Sequence, residues 1–230
     1  MNRSNHNLGS RIFRHHLPLL ALSSVAIALL YVTRPYNDVV SRLSFATAYP
    51  AIILLAGTLF TGPMNLVLRR RNPVSSDLRR DIGIWAGFIS ILHAGVGQFV
   101  HLRGRPWLYY VYGSQEKHVG IRHDIFGFAN YSGLLATLVV IALFSTSNDL
   151  SLRKLGTPRW KALQRWNYGV FALALMHSFA YQATEKQTMG WVGSVVFCMV
   201  ITVAIQTTGF LMRRHAIRVP VRDFETPENA

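Results

Sequence analysis

The sequence predicts an all-α, six-helix transmembrane bundle, on three observations. Half of the 230 residues are hydrophobic and only 15% are charged, against about 25% in soluble domains. The formal net charge is nevertheless +14. The charges fall between six apolar stretches, at 17–33, 44–68, 82–101, 125–145, 165–183 and 189–212. Each stretch is close to the ~20 residues that a helix needs to cross the hydrocarbon core. None alternates with a strict period of two, which argues against a membrane β-barrel. The apolar content excludes a disordered chain, and the single cysteine, Cys198, excludes a disulfide scaffold.

The first stretch follows Arg11 and Arg14, as the apolar run of a signal peptide does, but it ends in Leu30-Tyr31-Val32-Thr33-Arg34-Pro35. That ending has no small-x-small cleavage site, so the stretch reads as a retained helix. The second stretch is closed by Arg69, Arg70 and Arg71, and the third carries His93. The loop 102–124 that follows is the longest. Its Trp107, Tyr109, Tyr110 and Tyr112 suit a membrane interface. A basic segment separates the fourth stretch from the fifth, which carries His177. The expected organisation is a tail at 1–16, a membrane domain at 17–212 and a short polar tail at 213–230.

Orientation follows from the basic residues. Seventeen of the 24 Lys and Arg lie in the two tails and in the loops after the second and fourth stretches. The other seven are Arg34, Arg42, Arg103, Arg105, Lys117, Arg122 and Lys186. The positive-inside rule puts both termini in the cytoplasm of a multi-pass inner (cell) membrane protein. Topology then accounts for the basic excess without a nucleic-acid partner, and the basic clusters can touch anionic lipid head groups of the bilayer.

Polar groups at membrane depth are costly and mark function. No Asp or Glu lies in any apolar stretch, and of the nine histidines only His93 and His177 lie well inside one. His93 is 11 residues past Ile82 and His177 is 12 past Arg165, so both imidazoles sit roughly 16–18 Å from the inner edge. Two neutral imidazoles at one depth can clamp a planar group, as two axial histidines hold a heme iron. His93 shares its helical face with Ala86, Ser90 and Gly97, whose small side chains leave room for a ring. Plain helix packing competes with that reading, because Gly83 and Gly87 form a G-x-x-x-G pair. A zinc site lacks its third and fourth ligands at that depth. No Cys-x-x-Cys-His, dinucleotide fingerprint or P-loop occurs.

Two segments then carry a resemblance. One is Arg79-Arg80-Asp81-Ile82-Gly83-Ile84-Trp85-Ala86-Gly87-Phe88, with His93 following. The other runs from Ser147-Asn148-Asp149 through Ser151-Leu152-Arg153-Lys154-Leu155-Gly156 and Arg159-Trp160-Lys161-Ala162-Leu163-Gln164-Arg165-Trp166-Asn167-Tyr168 to His177. Over roughly residues 79–183 the chain resembles the ferric-reductase-like transmembrane domain superfamily, and within it the MsrQ/YedZ-type heme-binding membrane subunits. Its departures are Gln164, where that pattern usually has a histidine, Arg79 at the inner partner position, and a longer loop 102–124.

The resemblance implies a cytochrome b-like membrane protein with one bis-histidine heme b, ligated through iron by His93 and His177. Ser90 and Gly97 would make room for the ring, and Arg103, Arg105 and Arg122 would pair with its propionates near the outer rim. It implies an electron-transport subunit of an oxidoreductase system. Electrons would pass from quinol or a flavoprotein to an outer-face acceptor such as a periplasmic reductase. No motif supports a bound flavin. The alternative is a heme-free membrane scaffold or assembly factor that retains the fold.

Overall fold

The computed structural model describes residues 9–34, 36, 38–68, 76–102, 104–114 and 120–218. A π-helical turn, Ile12–His16, leads into α1 (Leu17–Thr33). Then follow α2 (Val39–Val67), α3 (Ser76–Gly97), α4 (Ile125–Ser145), α5 (Asp149–Gln164), α6 (Asn167–Thr184) and α7 (Met189–Arg218). No strand occurs among the described residues; Val111 and Ile121 form one isolated bridge. The chain is an all-α membrane bundle.

The surface shows why a bilayer is its solvent. Leu22, Val25 and Leu29 on α1, Leu135, Leu138 and Ile141 on α4, and Phe197, Val200 and Val203 on α7 are all exposed. A soluble monomer rarely shows apolar patches of that extent; lipid covers them without cost. Four helical segments are long and apolar enough to cross a membrane alone: Gly9–Thr33, Val39–Val67, Ile125–Ser145 and Met189–Arg214. The helices α3 and α6 are not among them. They carry His93 and His177 respectively, and both side chains line a cavity within the bundle. The six apolar stretches are thus six bundle helices, two of which depend on their neighbours.

The core is built from five helices. Ile52, Leu55 and Leu59 of α2 meet Ala86 of α3, Val140 and Leu143 of α4, Val170 and Phe171 of α6, and Val195 of α7. The most extensive pairings are α2 with α3 and α4 with α6, while α1 lies outside against α2. Gly87 belongs to this packing. A Cβ there would lie 2.8 Å from Phe144 of α4, so the G-x-x-x-G pair serves helix contact, as its competing reading expects.

Several boundaries differ from the expected stretches. Asp38 caps α2, accepting a hydrogen bond from Ser41 N–H at 2.9 Å, which moves the helix start back to Val39. The basic segment after α4 is a helix, α5, and not a loop. Asn148 caps it through Ser151 N–H at 2.8 Å. Gly156, at φ +71°, kinks it just ahead of Pro158, a left-handed backbone that favours glycine. Trp160 fastens α5 by donating to the Thr146 carbonyl at 2.9 Å. Arg80 of α3 reaches the Ser147 carbonyl and Asp149. The Leu-Gly and Arg-Trp elements of the second segment therefore shape this connector.

At the other end of the bundle, α3 stops at Gly97 and not at His101. The loop that follows folds inward. A 3-10 turn, Pro106–Tyr109, buries Tyr109 completely, and the Tyr109 hydroxyl accepts the His101 N–H at 2.8 Å. Trp107 stays exposed. The aromatic run is thus partly an interface feature and partly a plug for the bundle. The tail histidines also find partners. His15 and His16 approach the fully buried carboxylate of Asp81 at 2.7 and 3.3 Å, beside Arg11, and Trp85 donates to His16 at 3.2 Å. Sequence spacing gives no tie between that tail and the bundle; the structure supplies one through α3.

Candidate functional site

His93 and His177 meet inside the bundle. Their ring centres are 6.1 Å apart and their planes cross at 78°. The two rings thus lie side by side, although they stand at different distances from their helix starts. Each ring is held through one nitrogen. His93 Nδ1 lies 3.0 Å from the Ser44 carbonyl of α2 and 3.3 Å from the Thr47 hydroxyl. His177 Nδ1 lies 2.8 Å from the Ala129 carbonyl of α4. A carbonyl only accepts, so Nδ1 carries the proton in both rings and Nε2 keeps its lone pair. Metal-binding histidines show this arrangement, in which the second nitrogen donates to a backbone carbonyl and fixes tautomer and ring direction.

The separation has a chemical meaning. Two imidazoles on opposite sides of one metal atom have ring centres about 6 Å apart, given metal–nitrogen bonds of about 2.0–2.1 Å and the half-width of each ring. The observed 6.1 Å fits that span. Among the described residues no cluster of three or more His, Cys, Asp or Glu could hold a metal. A protein-only metal cage of that kind is therefore not formed by them, whereas a ring that brings its own four nitrogens needs only two ligands.

A cavity of about 880 Å³ surrounds the pair. Ser90, Ala94 and Gly97 of α3 line it, as do Gly133, Ala136 and Thr137 of α4 and Ala174 of α6. Its deep wall is apolar, with Ile52, Leu55, Val140 and Val170. The Ser90 hydroxyl and Gln182 Oε1 are buried on this cavity without a hydrogen-bond partner. Buried polar atoms without partners are rare and point to a missing group. Ligand, donor set and volume all fit a porphyrin.

Four of the seven expected site residues, His93, His177, Ser90 and Gly97, line this one cavity. Arg105 and Arg122 do not. Arg105 is exposed and does not line it. Arg122 donates to Asp124 at 3.0 Å and to the Leu108 carbonyl at 3.2 Å, and stacks over Tyr112 and Phe126. Burial pushes the Asp124 carboxyl up, but Arg122 and the Gly127 N–H hold it below its ordinary value. That carboxylate caps α4, so Arg122 serves the helix start. Arg103 lies outside the described residues.

The sequence reading did not single out Gly133. A Cβ there would lie 2.5 Å from His177 Nδ1 and 2.8 Å from its Cε1, so only glycine lets the ring sit against α4. The Ala129-x-x-x-Gly133 spacing signals close helix approach, but spacing alone does not show that a histidine is what approaches. Arg79 and Gln164, the residues at the second ligand positions, do not line the cavity.

Comparison with known proteins adds an independent observation. No family model matches the chain. The chain is similar to the protein-methionine-sulfoxide reductase heme-binding subunit MsrQ of Deinococcus radiodurans, with 30% identity over 138 residues. The match covers 60% of this chain and 61% of that relative, so the chain spans less than two thirds of the length of the MsrQ-type membrane protein it resembles.

Proposed function

We propose that the chain is a one-heme, b-type membrane electron-transfer subunit with His93 and His177 as the axial ligands. The observation that carries this is the histidine pair: 6.1 Å between ring centres, each Nδ1 on a backbone carbonyl, both rings on one cavity. The name of the Deinococcus relative, a heme-binding subunit, supports the same group. When bound, a heme would supply reversible one-electron chemistry.

The protein's own residues do the rest. Ser44 and Ala129 carbonyls hold the two rings so that neither must reorganise when the charge at the site changes, which favours fast electron transfer. Ile52, Leu55 and Val140 keep water from the deep wall. Ser90 Oγ and Gln182 Oε1 offer polar contacts at the cavity surface.

Direction follows from position. His93 lies 17 residues beyond Ser76, about 25 Å along α3, and close to the end that bears loop 104–124. With both termini in the cytoplasm of the inner membrane, the site lies in the outer half. Roughly half the bilayer then separates it from cytoplasmic donors, which favours a quinol within the bilayer as donor and an outer-face protein as acceptor. The relative's name, a subunit of a protein-methionine-sulfoxide reductase, supports a periplasmic reductase as that acceptor. Reporter fusions test the orientation. A fusion after Arg218 should read cytoplasmic and one after Gly113 should read external; the opposite pattern would invert the donor side.

The purified chain should be coloured, with a Soret band and close to one heme per chain by pyridine hemochrome against protein mass. The single count rests on Arg79 and Gln164 at the second ligand positions. A guanidinium stays protonated and offers iron no lone pair, and an amide is a poor partner for heme iron compared with imidazole. A ratio near two would overturn the count and the quinol preference. A colourless protein that cannot be loaded would point instead to a scaffold.

A further inference from the structure

The cavity lining is chemically mixed, and several of its polar groups have no role in holding iron. Beyond the histidine pair, Gln98, His101, Tyr110, Glu185 and Gln187 line the mouth. A lining that combines an apolar wall with several polar groups matches a ring that carries both hydrocarbon edges and carboxylates.

Among these groups His101 is held the most firmly. Its backbone N–H donates to the Tyr109 hydroxyl at 2.8 Å. Its ring stacks on Tyr181, with centres 6.1 Å apart and planes at 16°, and stands edge-on to Phe126 at 5.7 Å. Its Nε2 faces Glu185 Oε1 at 3.2 Å, and both side chains are about one third exposed. A fixed N–H donor aimed at a carboxylate is a carboxylate-binding group.

Glu185 is a weak holder of that donor. It is the C-cap of α6, where the unpaired carbonyls of the last turn gather partial negative charge. A carboxylate is disfavoured at a helix C-terminus, so another carboxylate can replace it at His101 with little loss.

Resting on the heme reading, we propose that His101 binds a carboxylate of the macrocycle, and that Glu185 competes with that carboxylate for the same Nε2–H. His101 would thus take the part that the resemblance gives to Arg105 and Arg122, neither of which lines the cavity. The axial bonds fix the ring's plane, and His101 fixes which edge points to the mouth.

Metal-free protoporphyrin IX separates this role from iron ligation, because it forms no axial bonds. The full-length chain, purified without heme, is titrated by fluorescence with the diacid and with its dimethyl ester. The wild type should bind the diacid about tenfold more tightly, the scale of a hydrogen bond to a charged group. His101→Ala should abolish that preference and leave ester binding unchanged, which shows that the cavity is intact. His101→Gln, which keeps a donor, should restore part of it. Glu185→Gln should tighten diacid binding several-fold without moving the ester. Equal affinities for diacid and ester in the wild type, or a preference that survives in His101→Ala, would overturn the proposal. Failure of the wild type to bind iron heme would instead remove the heme reading itself.

Discussion

Replacing His93 or His177 with alanine is expected to eliminate the Soret band of the purified protein, or to leave a five-coordinate heme that is lost on gel filtration. On the proposed reading each imidazole would supply one of only two protein bonds to the iron, and each is held by a backbone carbonyl at 3.0 or 2.8 Å. The described imidazoles on the loop side of the cavity are engaged elsewhere. His101, the next along the chain after α3, is turned toward Glu185 and Tyr181, and His123 packs edge-on to Tyr112 at 5.3 Å. His101→Ala and His123→Ala should therefore leave the absorption spectrum nearly unchanged. The truncations should not unfold the bundle. The core that joins Leu59, Ala86, Val140, Val170 and Val195 does not include either histidine, so the variants should still purify as helical membrane proteins. A Soret band retained in His93→Ala and lost in His101→Ala would assign the ligands wrongly.

The parts of the site that could be read from sequence share a physical cause. A histidine in an otherwise apolar helix has few reasons to be there, so His93 and His177 stand out, and helical spacing brings Ser90 and Gly97 to the same wall. The parts that could not be read are those where the partner is a backbone group or lies far along the chain. The carbonyls of Ser44 and Ala129 leave no trace in residue type. Arg122 was drawn toward a ligand by its charge, yet Asp124, two residues on, claims it while capping α4. Asp81 looked like the edge of a loop, but it is fully buried among Arg11, His15 and His16. The α5 segment reads as a loop because its basic residues interrupt the apolar pattern. The caps at Asn148 and the tie from Trp160 to Thr146 hold it helical all the same.

Gly133→Ala should weaken heme binding at least about tenfold, the usual cost of disturbing a group that orients a metal ligand. The added methyl would lie 2.5 Å from His177 Nδ1 and 2.8 Å from Cε1. Those distances are too short for any contact, so the ring must swing away from α4. In doing so it gives up the Ala129 carbonyl and its present placement beside His93. Helix stability moves the other way: alanine is favoured over glycine in a helix interior by about 1 kcal/mol. Loss of heme therefore cannot be blamed on a failing α4, and the heme-free variant should melt near the wild type. The larger Gly133→Val should remove the Soret band altogether. The test of mechanism is the double variant. If Gly133 acts only through His177, then Gly133→Ala combined with His177→Ala should bind no worse than His177→Ala alone, a non-additivity expected of groups in contact. Additive losses, or a Gly133→Ala protein with wild-type affinity, would show that His177 does not bind heme from its seat on α4.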